Sequence, residues 1–152
     1  MITDTDVMYV YCEVINQLEA QKILDIGMFF KAVGAVSRSL LDMQIPQEYN
    51  ITGVDIDKIP YLEIYDTIYN RITDVDELFN GAYKDEKYDL ITFIGAEKEK
   101  MSDAARKNLL EKLIGKAKNI LTYDDDINFL EKYGTVVSVE INGKKFALAT
   151  VG

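Results

Sequence analysis

The chain has 152 residues, enough for one domain with a substantial core. Its formal net charge is −9, it has no histidine, and Cys12 is its only cysteine. These numbers exclude an intramolecular disulfide, a cysteine-cluster or histidine metal site, and any histidine-based triad. A negative field of this size repels phosphate backbones, so nucleic acid is a poor expected partner.

The opening segment, MITDTDVMYVYCEV, carries no basic stretch and no long apolar run. Neither a signal peptide nor a transmembrane helix is expected from it, and the default expectation is a cytoplasmic protein. Thr3 or Thr5 can cap a helix, with Asp4 and Asp6 near its positive end. Val7, Tyr11, Val14 and Leu18 then recur at helical spacing, which predicts an amphipathic helix to about Ala20. Lys22 to Ile26 is a short β-rich run with the look of a buried strand. Lys31 to about Met43 puts Val33, Val36 and Leu40 on one helical face, with Pro46 just beyond its end.

Ile51 to Ile56, ITGVDI, predicts a second strand, and Thr67 to Ile72 a third. Thr73 is placed to cap a short helical piece, DVDELF. Tyr88 to Ile94 is the strongest strand pattern in the chain. Ser102 and Asp103 open a helix with Ala105, Leu109, Leu113 and Ala117 along one face. Asn119 to Tyr123 predicts a fifth strand. TVVSVEI and KKFALATV are two more strands joined by Asn142-Gly143, a pair that suits a type I′ hairpin because both positions need positive φ. Alternating strands and helices imply a mainly parallel sheet covered on both faces. The whole of residues 1–152 is expected to form one domain.

Four motifs carry the candidate chemistry. ILDIG ends an apolar strand in Asp25 and Gly27, and ITGVDID places Asp55 at the end of the next strand. RITDVDEL adds Asp74, and YDLITFIGAEKEK puts Ile94 to Glu97 at the carboxyl end of the fourth. With the closing hairpin, this pattern resembles the class I S-adenosylmethionine-dependent methyltransferases over nearly the whole chain. The resemblance implies an α/β fold: a three-layer α/β/α Rossmann-like sandwich whose seven-stranded sheet runs 3-2-1-4-5-7-6, with strand 7 antiparallel. It implies S-adenosylmethionine as cofactor and no metal. Asp25 and Gly27 match the family's opening turn, where backbone approaches the methionine part of the cofactor and a Cβ would intrude. Asp55 matches the residue that accepts from the ribose hydroxyls, and Asp74 the one beside the adenine amino group. The family's turn carries further glycines; here Phe29 and Lys31 stand in their places, and Gly34 comes too late to replace them in register.

Each candidate also has a plain structural reading. Asp25 and Asp55 suit strand ends and caps, and Asp74 suits the start of a helix. Phe29 and Phe30 fit a core or a filled turn as well as a pocket wall. AEKEKMSDAARK reads as a solvated loop and helix face. The acidic run Tyr123 to Asp126 reads as a turn and cap, with a hard-cation site such as magnesium as the other option. No dinucleotide fingerprint, P-loop or nucleophile elbow occurs. Two functions remain open at this point: a small methyltransferase, for which Lys31 and Glu97 are candidate acceptor contacts, and a binding or interaction module of the same fold without catalysis. The sequence leaves the small-molecule or protein partner, and a homodimer, undecided.

Overall fold

The computed structural model describes residues 3–27, 43–54, 56, 70–72, 74–94 and 101–152. Helix α1 spans Asp4–Leu18 and is capped by Thr3, whose hydroxyl accepts from the Asp6 N–H at 3.2 Å. The Asp6 carboxylate returns the contact, accepting from the Thr3 N–H at 2.9 Å, which completes a capping box. Val7, Val10, Tyr11, Val14 and Ile15 form its buried face, as the helical spacing requires.

Seven strands follow: β1 (Lys22–Ile26), β2 (Asn50–Val54), β3 (Asn70–Ile72), β4 (Tyr88–Thr92), β5 (Ala117–Tyr123), β6 (Thr135–Ile141) and β7 (Lys144–Thr150). They form one sheet in the order β3-β2-β1-β4-β5-β7-β6. Strands β1 to β5 are parallel, and β7 runs antiparallel to both β5 and β6. This is the order and sense the family resemblance implies. The predicted helix from Lys31 lies outside the described residues apart from its end, where Met43 and Gln44 are helical. The first three residues of the predicted third strand, 67–69, also lie outside them.

Alternation along each strand sorts side chains into two cores. Ile23, Ile51, Leu90 and Leu121 pack with the α1 face. Leu24, Ile26, Val54, Ile91 and Ile120 pack on the opposite side, against helix α2 (Asp103–Ile114) and Leu78. The sheet is thus a middle layer between helices, as a parallel sheet must be.

Helix α2 starts at a Ser102 cap, as expected, but its buried face is Arg106, Leu109, Leu110 and Leu113. Ala105 is exposed, and Ala117 belongs to β5, because the helix ends before Gly115. The polar look of Arg106 hid the true phase of the helix.

At the closing hairpin, Asn142 (φ 51°) and Gly143 (φ 78°) take the left-handed conformations of a type I′ turn. That turn is tied to the start of α1. The Asn142 amide donates to Asp6 at 3.0 Å, and Lys144 Nζ lies 3.3 Å from the same carboxylate. The Thr3 backbone N–H, then the Asn142 amide, hold the Asp6 carboxyl well below its ordinary value of 3.8. The unfolded chain therefore takes up this proton first as pH falls, so the contribution of Asp6 is present above the ordinary value and is lost toward strong acid. We expect Asp6→Asn to lower the urea midpoint at neutral pH, with the gap from wild type shrinking below about pH 4. A gap that stays constant down to the acid transition would remove Asp6 from this account.

Candidate functional site

The carboxyl ends of the five parallel strands lie along one edge of the sheet. From β1 the chain crosses to β2 and β3 on one side, then returns to β4 and β5 on the other. In open α/β sheets this reversal, here between β1 and β4, leaves a crevice outside the strand ends where ligands bind.

Gly27 stands at the end of β1 with φ 93°, a conformation that L side chains rarely adopt. Its N–H donates to the Val54 carbonyl at 2.8 Å, which fixes the turn against the end of β2. A glycine there adds no Cβ at the end of β1.

Asp25, two residues earlier, is fully buried. Strand alternation places it on the α1 side, between Gly53 of β2 and Thr92 of β4 in register. Tyr11 from α1 donates its hydroxyl to Asp25 Oδ1 at 2.5 Å, and Thr92 Oγ1 donates to the same oxygen at 2.9 Å. Burial first, and the neighbouring Asp25 charge second, push the Tyr11 phenol well above its usual range. Tyr11 is therefore a neutral donor at any physiological pH.

Asp74 lies apart from this centre, after β3. It is exposed and caps a short 3-10 turn, Val75–Leu78, by accepting from the Asp76 N–H at 3.0 Å. The plain reading of Asp74 is a charge at a helix start; here it is the cap itself, in place of the expected Thr73, which lies outside the described residues. The sheet thus brings Asp25 and Gly27 together and sets Asp74 two strands away, all on the carboxyl-end edge. Asp55, Phe29, Phe30, Lys31, Gly34 and Glu97 lie outside the described residues.

A second buried cluster closes the other half of the edge. Arg106, from the first turn of α2, donates through Nη2 to Asp126 at 2.8 Å and through Nε to the same oxygen at 3.2 Å. Nη2 also reaches the Thr122 hydroxyl and, at 3.2 Å, the Phe93 carbonyl. The guanidinium stacks 4.2 Å from the Phe93 ring centre and 5.0 Å from that of Tyr123. Thr122 donates to Asp126 at 2.6 Å. One side chain thus ties α2 to the ends of β4 and β5.

Sequence reasoning assigned both ends of this cluster elsewhere. Arg106 sat within a stretch read as solvated, and Asp126 within an acidic turn with a cation option. Asp124–Asp126 do form a 3-10 turn, but Asp126 points inward to Arg106. Among the described residues no three acidic or cysteine side chains gather as a metal set. The only sequence signal was a lone arginine at helical spacing from Leu109, Leu110 and Leu113.

No family model matches the chain. No curated protein matches it either. Solved structures do. The methyltransferase domain of bacterial CtHen1-C superposes with a TM-score of 0.60 at 19% identity, covering 97% of this chain and 97% of that one. The O-methyltransferase TomG from Streptomyces achromogenes, in complex with S-adenosylmethionine, matches at 0.62 and 12% identity over 95% of this chain and 79% of its own. MNMC2 from Aquifex aeolicus matches at 0.58 and 16% identity over 92% of this chain and 56% of its own. The chain has the class I methyltransferase fold. At these identities the likeness is one of architecture, and the residues must argue for anything more.

Removing one member of the Arg106–Asp126 pair strands the other charge in the core. We expect Asp126→Ala to cost about 3–5 kcal/mol in urea denaturation. Arg106→Met combined with Asp126→Leu should recover most of that loss, because no unpaired charge remains. A double variant no more stable than Asp126→Ala would show that the pair contributes more than its desolvation costs.

Proposed function

We propose that this chain is a methyltransferase-like protein that takes S-adenosylmethionine in the crevice at the carboxyl ends of β1 and β4. The observation that carries this reading is Gly27, held at positive φ at the switch point of a 3-2-1-4-5-7-6 sheet. Gly27 carries no Cβ that would block a ligand, which supports placing the methionine part of the cofactor against it. In this reading Asp55 accepts from the ribose hydroxyls and Asp74 stands on the adenine side. Asp25 shapes the turn from below.

S-adenosylmethionine would supply an electrophilic methyl group on a sulfonium. The protein's share of such chemistry is alignment of donor and acceptor, which proximity alone accelerates strongly. A chain without histidine can do this when the acceptor is already nucleophilic. Lys31 and Glu97 are the candidate acceptor contacts.

The turn itself supports a second reading. Phe29 and Lys31 stand where the family has glycines, so the cradle is degenerate in sequence. On this view the fold persists as a binding or interaction module, and methyl transfer is lost.

Calorimetry with S-adenosylmethionine and S-adenosylhomocysteine separates the two. The first reading expects affinity near micromolar, about −8 kcal/mol, and a loss of at least about tenfold in Asp55→Ala. Absence of heat at millimolar ligand would leave the non-catalytic module as the account of this fold.

A further inference from the structure

We propose that Tyr11 is a positioning residue for the ligand turn, so that helix α1 is coupled to binding at the switch point. This rests on the reading of that edge as an adenosyl-ligand site. Three observations carry it, and none depends on the family's own motif residues alone.

First, the Tyr11 hydroxyl is placed where packing has no need of it. The side chain is fully buried among Val7, Val10, Val14 and Ile15, and phenylalanine would fill the same space. The hydroxyl instead crosses from helix to sheet and meets Asp25. A buried hydroxyl and a buried carboxylate are each costly unless paired, so the contact holds both groups in one arrangement.

Second, the contact sits at the reversal of strand order. Asp25 belongs to β1, Thr92 to β4, and the two are partners in the sheet register. Tyr11 Oη lies 3.1 Å from Thr92 Oγ1 and 2.5 Å from Asp25 Oδ1. One helical residue thus meets both strands that flank the crevice.

Third, Asp25 is continuous with the turn. Only Ile26 separates it from Gly27, whose N–H is bonded to Val54. Removing the phenol hydroxyl leaves Oδ1 one donor short. The contact that fixes the carboxylate from α1 is then gone, and the end of β1 is expected to shift with it. Small displacements of a binding backbone cost much affinity, because the donor and acceptor geometry is set to fractions of an ångström. By linkage, a ligand that holds the turn must also hold α1.

The test uses the full chain and S-adenosylhomocysteine. Calorimetry compares wild type with Tyr11→Phe, Thr92→Val and Val10→Ala, each checked by circular dichroism and worked well below its thermal midpoint. Tyr11→Phe should raise Kd about tenfold, the loss of one hydrogen bond to a charged group. Thr92→Val should weaken binding in the same direction. Val10→Ala loosens the same helix without touching Asp25 and should keep a Kd close to wild type. Hydrogen exchange supplies a second readout, judged against residues 103–114 because ligand slows every amide that exchanges by global unfolding: ligand should slow exchange across residues 4–18 beyond the slowing in 103–114 in wild type, and this excess should vanish in Tyr11→Phe. Wild-type binding with an unchanged Kd in Tyr11→Phe overturns the inference and leaves the ligand reading intact. Wild-type binding with no such excess in α1 does the same, and decides the matter should Tyr11→Phe fail to fold. No binding by wild type overturns the ligand reading and the inference with it.

Discussion

Strand β1 must be buried on both faces, and most of the architecture follows from that demand. It lies inside the sheet between β2 and β4, with α1 on one side and the α2 layer on the other. Ile23 faces the first layer, and Leu24 and Ile26 the second. A carboxylate at Asp25 is the exception in this strand. It is tolerated because α1 delivers a phenol and β4 a threonine hydroxyl to the same oxygen. The central strand is therefore also the place where helix, sheet and candidate ligand turn meet.

The buried Arg106–Asp126 ion pair has a different geometry and a related effect. Arg106 enters from α2 and satisfies Asp126, Thr122 and the Phe93 carbonyl, while two aromatic rings cover its guanidinium. A planar, weakly hydrated cation suits this role better than a lysine would. The ends of β4 and β5 are thereby held together by a polar cluster in a setting that apolar packing could also have filled. Such clusters fix one arrangement of the edge, because alternatives leave a charge without a partner. The Asp25 and Asp126 networks both lie toward the carboxyl ends of the parallel strands.

Much of the fold was legible in the residues. Amphipathic spacing marked α1, apolar runs marked the strands, and Asn142-Gly143 marked the hairpin. These are local signals with local physical causes. The errors were local too. On α2, Leu109 and Leu113 are buried as expected, while Arg106 takes the place expected of Ala105, because an arginine reads as polar while lying in the core. Ala117 was assigned to the helix because an alanine suits either state, and only the strand pairing Tyr88–Ala117 resolves it. At the site, Gly27 was singled out for its missing Cβ, and its positive φ comes from the structure. The partner of Asp25 was not singled out: Tyr11 looked like one more apolar position of a helix, and only its hydroxyl distinguishes it.

The sequence by itself determined the order of elements, the parallel sheet with its antiparallel close, and the turn chemistry of Asn142-Gly143. Those properties rest on backbone sterics and on hydrophobic period, which short stretches of chain carry on their own. The tertiary structure alone decided which polar side chains meet. Tyr11 with Asp25, Arg106 with Asp126, and Asp6 with Asn142 are separated by 14, 20 and 136 residues. Pairing of buried polar groups is a property of the packed interior: each group is costly alone, and its partner is whichever residue the fold brings within hydrogen-bonding distance.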